Sequence, residues 1–127
     1  MNRITDDERS EKLLCESDHR FMSIIWENEP LSSAELARLC FDEFGWKKST
    51  SYTMLKRLEG KGLAKNENTV VTSLVPRSEI NERESRSFVN KSFGGSLPGF
   101  LVSFLGGKKL TKAEADELMK LIEDHVE

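Results

Sequence analysis

The most constraining feature of the chain is a set of closely spaced helix start and stop signals in residues 30–62. Ser32 is followed three residues later by Glu35, a spacing that predicts an N-cap and a capping box. Gly45 supplies the stop signal for this helix. A further helix is predicted from about Lys48 to Gly60. Two short helices joined by a tight turn are typical of a helix-turn-helix unit.

Apolar residues at helical spacing give each predicted helix a face to bury. An earlier helix is predicted from about Glu16 to Asn28, and Glu29-Pro30 ends it because a residue before proline is pushed out of the α region. The expected buried residues are Phe21, Ile24, Ile25 and Trp26 in the first helix, Leu36, Leu39, Cys40 and Phe44 in the second, and Met54, Leu55 and Leu58 in the third, with Leu31 and Leu36 forming a hydrophobic staple.

Two short extended runs follow the third helix. Leu63-Ala64-Lys65 and the run from Thr69 to Leu74 flank Asn66-Glu67-Asn68, which predicts a β-hairpin with its turn at these three residues. Three helices followed by a hairpin indicate a winged helix-turn-helix, a mainly α fold that places its third helix in the major groove of DNA.

A different kind of sequence begins after Pro76. We expect a charged helix from Ser78 to Phe93, a short apolar segment, and a last helix from Leu110 to Val126 that starts with a Thr111–Glu114 capping box. About 50 residues in three helices bury little core alone, so their apolar residues suggest contact with a second copy of the chain. The expected dimer contacts are Phe88, Phe93, Phe100, Leu101, Phe104, Leu118, Leu121 and Ile122. The predicted division is a polar extension at 1–13, a winged-helix domain at 14–76 and a helical dimerisation domain at 77–127.

Positive charge is concentrated around the third helix. Residues 45–65 hold six basic side chains against one acid, although the whole chain has a formal net charge of −3. Lysine and arginine suit phosphates, and small hydroxyl groups suit base edges. The alternative for each is a solvated surface position, and for Tyr52 a packing role. The candidate DNA contacts are Lys47, Lys48, Ser49, Thr50, Tyr52, Thr53, Lys56, Arg57 and Lys65.

Other classes of protein find little support in the sequence. No apolar run is long enough to span a bilayer, and the charged N-terminus does not resemble a signal peptide. The two cysteines, Cys15 and Cys40, lack metal or redox spacing, which favours a reducing cytoplasm. Cys15 and His19 lie four residues apart, but no second pair completes a metal site. We therefore expect no metal, no cofactor, no membrane contact and no enzymatic activity.

The pattern W-x-x-x-T-x-x-T-x-L-x-R-L, formed by Trp46, Thr50, Thr53, Leu55, Arg57 and Leu58, resembles the penicillinase repressor family. That family represses β-lactamase, methicillin-resistance and copper-homeostasis genes. The likeness covers about residues 14–126. It implies a homodimeric repressor on a palindromic double-stranded DNA operator, inactivated through a membrane sensor-protease pathway.

Several residues depart from the family pattern. Cys15 stands where the family has a serine or threonine N-cap, and His19 stands where it has an aromatic residue. The wing lacks the family's arginine, glycine and tyrosine, and its remaining cation is Lys65. The family's β-lactam branch is cut before a phenylalanine that corresponds to Phe104, and here Ser103 replaces the preceding asparagine. A regulatory protease cutting at Ser103–Phe104 is thus a hypothesis, whereas the missing Cys-x-Cys pairs argue against copper sensing.

The acidic total charge and the reduced wing leave one rival function open. A winged-helix module that binds other proteins, as an adaptor or antirepressor, would need no DNA contacts. Binding to DNA that depends on sequence and salt would separate a repressor from this rival.

Overall fold

A computed structural model describes residues 14–127, so the predicted polar extension at 1–13 lies outside the described residues. The described chain forms six helices and three short strands: α1 Glu16–Asn28, β1 Leu31–Ser32, α2 Ser33–Phe44, α3 Lys48–Gly60, β2 Ala64–Glu67, β3 Val70–Ser73, α4 Arg77–Phe93, α5 Leu97–Leu105 and α6 Lys112–Asp124. The mainly α winged-helix fold is confirmed. The bounds of α1 and α3 are those predicted from the sequence.

The start of α2 corrects the predicted capping box. The Ser32 hydroxyl accepts a hydrogen bond from the backbone N–H of Glu35 at 3.0 Å, as an N-cap should. The Glu35 carboxylate instead accepts a hydrogen bond from Arg38 at 2.7 Å, because an arginine three residues later is within reach on the same helical face. Gly45 ends the helix with a left-handed φ of 71°.

The sheet contains one strand that the sequence did not indicate. β1 pairs antiparallel with β3, Leu31 opposite Val71, so the strand order is β1-β3-β2. A two-residue strand after a proline has too few positions to show alternation, which explains why the pattern missed it. The sheet therefore ties the start of α2 to the hairpin.

The hairpin turn lies later than predicted. β2 extends through Glu67, and the turn residues are Asn68 and Thr69, with φ values of 53° and 65°. Two successive positive φ values define the turn type that matches strand twist. Thr69 is β-branched, and such residues rarely adopt a positive φ, so no local signal placed the turn at this position.

One hydrophobic core joins the three N-terminal helices to the sheet. Its fully buried members are Phe21, Met22, Ile25, Leu36, Cys40, Leu58 and Val71, and Ile80 from α4 packs into the same core. Trp46 closes the turn between α2 and α3 by stacking on Phe21, with ring centroids 6.1 Å apart. The orientation of α3 is thus fixed from the side opposite its solvent face.

The start of α4 is attached to the winged-helix core. The Trp26 indole N–H donates a hydrogen bond to the Val75 carbonyl oxygen at 2.9 Å, and the His19 ring pairs with Glu84. Ile80 is 2% exposed within this contact. Contact with the core therefore extends past residue 76, and the predicted division into domains at 76/77 stays a prediction.

The last two helices leave much apolar surface in solvent. Phe88, Phe93, Phe100 and Phe104 form a chain of ring contacts along α4 and α5. α5 and α6 flank a mainly apolar cleft of about 680 Å³. Phe104 is 68% exposed, and Leu121 and Ile122 in α6 are 55% and 54% exposed. Such a surface on a short chain is typical of an interface.

Candidate nucleic-acid interface

The recognition helix, α3, buries one face and presents the opposite face to solvent. Ser51, Met54, Leu55 and Leu58 are buried. With about 3.6 residues per turn, the line farthest from this buried side carries Ser49, Thr53 and Lys56. All three are exposed. A short polar stripe with a cation at one end is the outermost surface of the helix.

The two flanks of the recognition helix differ. Lys48 and Tyr52 lie on one flank, and the Lys48 ammonium sits 5.8 Å from the centre of the Tyr52 ring. Thr50 and Arg57 lie on the other flank, which faces the start of α1. The polar stripe is therefore bordered by an aromatic residue with a cation on one side and by α1 on the other.

The first turn of the recognition helix favours an anion. Lys47 is its N-cap residue and makes no side-chain cap hydrogen bond, and the first turn contains no acidic residue. Backbone N–H groups at a helix start carry partial positive charge and are a common site for phosphate. Lys47 and Lys48 add two exposed cations there. This end of α3 therefore combines two exposed lysines with a helix start that has no acidic side chain in its first turn.

Arg57 has a protein partner. The carboxylate of Asp18, a side chain that is 0% exposed, lies 3.5 Å from Arg57 and 3.2 Å from Lys61, measured from Oδ2 to each nitrogen. The same oxygen accepts a hydrogen bond from the backbone N–H of Cys15 at 3.1 Å. The sequence interpretation missed Asp18, because its partners are about 40 positions away in the chain and no local pattern links them.

Cys15 and Cys40 have opposite environments. Cys15 is exposed, and its pKa is lowered by hydrogen bonds with the Ser17 hydroxyl and the Asp18 backbone, with a smaller contribution from Arg57. Cys40 is buried, and burial raises the pKa of its thiol. Cys15 contacts Ser17 and Arg57, while His19 contacts Glu84. Within residues 14–127, no group of three histidine, cysteine or acidic side chains is placed to hold a metal.

The wing contributes little free positive charge. The Lys65 ammonium lies 2.7 Å from the Glu67 carboxylate, and both side chains project from the same side of β2. This hydrogen bond with Lys65, together with its charge, lowers the pKa of Glu67. The predicted contact between Lys65 and DNA stays a prediction, and it would require Lys65 to exchange a carboxylate for a phosphate.

Residues 14–127 contain no helix that is both long and apolar enough to cross a bilayer. Their three-helix core, small sheet and exposed third helix define a winged helix-turn-helix protein.

Comparison with known proteins identifies the family. The penicillinase repressor family model matches residues 14–124, and the chain belongs to this family. Its relatives include the penicillinase repressor of Bacillus licheniformis, 27% identical over 116 residues that cover 88% of this chain and 91% of that protein. The methicillin resistance regulatory protein MecI of Staphylococcus aureus strain Mu50 is 26% identical over 113 residues, covering 86% and 92%. The chain is accordingly a transcriptional repressor by family, and the relatives named here are regulators.

Proposed function

We propose that the chain binds a palindromic double-stranded DNA operator as a homodimer, with one recognition helix in the major groove of each half-site. The observation that carries this proposal is the solvent face of α3, where Ser49, Thr53 and Lys56 form the outermost stripe. Short hydroxyl side chains at this place can reach base edges, while the lysines and backbone N–H groups at the start of the helix can bind phosphates. Repression would follow from occupation of the promoter.

The contacts divide by chemistry. We assign Lys47, Lys48 and Lys56 to phosphates, because all three are exposed and make no ion pair within the described part of the chain. Ser49, Thr50 and Thr53 are assigned to base edges or adjacent phosphates, and Tyr52 to the sugar-phosphate backbone beside Lys48. Phosphate contacts set affinity and salt dependence, whereas base contacts set sequence preference.

The first test compares Lys48→Ala with Thr53→Ala. Lys48→Ala is expected to weaken binding to all DNA sequences alike and to reduce the slope of log K against log salt by about 0.9, the value for one phosphate contact. Thr53→Ala should keep that slope and change which base pair is preferred at one operator position. Gel shifts of the DNA upstream of the gene, repeated at several salt concentrations, measure both quantities.

One result would test the assigned roles, and two would decide between the functions. Equal effects of the two substitutions on slope and preference would contradict the assigned roles. Absence of any salt-sensitive, sequence-preferring binding by the unmodified protein would favour the adaptor or antirepressor, a rival that the Lys65–Glu67 pair in the wing keeps open. Binding by a dimer with a preferred sequence would exclude that rival.

Proteolysis is the proposed route of release from the operator. Ser103 and Phe104 lie exposed on α5, and a cut between them would separate α6 from the rest of the chain. Loss of α6 would remove Leu118, Leu121 and Ile122 from the proposed dimer contact and weaken paired binding to both half-sites. Intact-mass measurement before and after induction in cells tests this route. Derepression with a full-length mass would contradict it.

A further inference from the structure

The ion cluster around Asp18 joins α1 to the second half of the recognition helix. Asp18 is 0% exposed, and its Oδ2 is the shared acceptor of a backbone N–H and two cations. The Lys61 side chain is 19% exposed and that of Arg57 is 44% exposed. Of the two cations, Arg57 is therefore the one with a clear path to solvent.

The guanidinium of Arg57 is oriented by three contacts and not only by Asp18. Its Nη2 lies 3.9 Å from the Cys15 sulfur, and its Nη1 lies 4.0 Å from the Met54 sulfur. These contacts hold the group between α1 and the recognition helix. Arg57 therefore points away from the stripe of Ser49, Thr53 and Lys56 that would face the groove.

A buried carboxylate competes well with an exposed phosphate for this cation. The attraction between Asp18 and its partners is screened less than an exposed ion pair, because the carboxylate is out of solvent. Moving Arg57 to a DNA phosphate would leave that buried charge with less compensation, which is unfavourable. Moving Arg57 from the Asp18 carboxylate to a DNA phosphate would therefore be close to neutral or unfavourable in free energy.

We propose that Asp18 is a positioning residue that forms an ion pair with Arg57, in place of the pair that Arg57 would form with a DNA phosphate, and that it fixes α3 against α1. This inference rests on the proposed DNA-binding function. It makes Arg57 a structural cation, and it leaves the phosphate contacts of α3 to lysines in its first turn and at Lys56.

The first test compares Arg57→Gln with Lys56→Gln, its neighbour in the same helix. Lys56→Gln should reduce the slope of log K against log salt by about 0.9, whereas Arg57→Gln should leave the slope unchanged. The measurement is binding of the full chain to random-sequence duplex DNA between 50 and 200 mM salt. An equal loss of slope in both variants would overturn the proposal.

The second test removes the internal anion. Asp18→Asn should release Arg57 toward DNA and raise the slope by about 0.9, a change of roughly three- to fourfold in affinity across this salt range. Asp18→Asn/Arg57→Gln should return to the original slope, and Asp18→Glu should keep it. The proposal would be overturned if the increase in slope persisted in the double variant. It would also be overturned if folded Asp18→Asn showed no increase in slope. If Asp18→Asn fails to fold, the comparison of Arg57→Gln with Lys56→Gln decides.

Failure of this inference can be told apart from failure of the proposed function. Salt-sensitive binding by the unmodified protein, with no difference between Asp18→Asn and the original, contradicts the inference alone. If the unmodified protein does not bind DNA, but Asp18→Asn does and loses this binding when Arg57 is also replaced, the function alone is contradicted. No binding by either protein contradicts both.

Discussion

Leu121→Asp is expected to convert the proposed dimer into a monomer at micromolar concentration. Leu121 is 55% exposed in the chain alone and lines the cleft between α5 and α6, together with Phe104 and Leu118. In a dimer that covers this cleft, a carboxylate at position 121 would be buried without a partner. That placement should cost about 3 kcal/mol or more, which corresponds to at least roughly a 100-fold rise in the dimer dissociation constant.

Sedimentation across a range of protein concentrations measures this dissociation constant. Met119→Asp is the matched control, because it adds the same charge to the same helix at an exposed residue that does not line the cleft. Operator affinity should fall with dimer affinity in Leu121→Asp, since the two half-sites are then bound separately. A dimer constant unchanged by Leu121→Asp would contradict the assignment of this cleft to the interface.

Leu58→Ala is expected to lower the free energy of unfolding by about 3 kcal/mol. Leu58 is 0% exposed and anchors the recognition helix in the core shared with Phe21 and Leu36. The substitution removes apolar contacts and leaves a cavity that the surrounding helices fill only in part. Because small domains are stable by only about 5–15 kcal/mol, this loss is a large share of the total.

Urea unfolding followed by circular dichroism measures this change. Thr53→Ala provides the contrast on the same helix, since an exposed substitution should alter stability by no more than about 0.5 kcal/mol. The two variants should thus differ in which property they change. Leu58→Ala should lower the free energy of unfolding, whereas Thr53→Ala should change operator preference. A loss below about 1 kcal/mol for Leu58→Ala would show that the core does not depend on this anchor.

The reduced wing and the Asp18 cluster both shift the proposed DNA contact toward the first turn of α3. Lys65 is paired with Glu67, and Arg57 is paired with Asp18. The cations left without an ion pair in the helix-turn-helix region of the described chain are Lys47, Lys48 and Lys56. Because these three lysines lie along one helix and at its N-cap, a chain with net negative charge can still present a small positive surface for the proposed DNA contact.

The three N-terminal helices and the family resemblance could be predicted from the sequence alone. Local signals are sufficient for this purpose. The Ser32 N-cap and the Gly45 stop mark the ends of α2, and apolar residues at helical spacing mark α1 and α3. The pattern around Thr50 and Arg57 is likewise contained within one helix. Such features depend on residues a few positions apart, so they are readable without coordinates.

Contacts between distant residues became visible only in the folded chain. The tertiary structure added β1, moved the hairpin turn to Asn68 and Thr69, and brought Asp18 to Arg57 and Lys61. Strand β1 and the contacts of Asp18 depend on pairs about 40 positions apart, for which a single sequence carries no signal. The turn was misplaced for a local reason, because the β-branched Thr69 rarely adopts a positive φ. Burial and charge compensation arise from the packing of several segments together, so no single segment of the sequence reveals them.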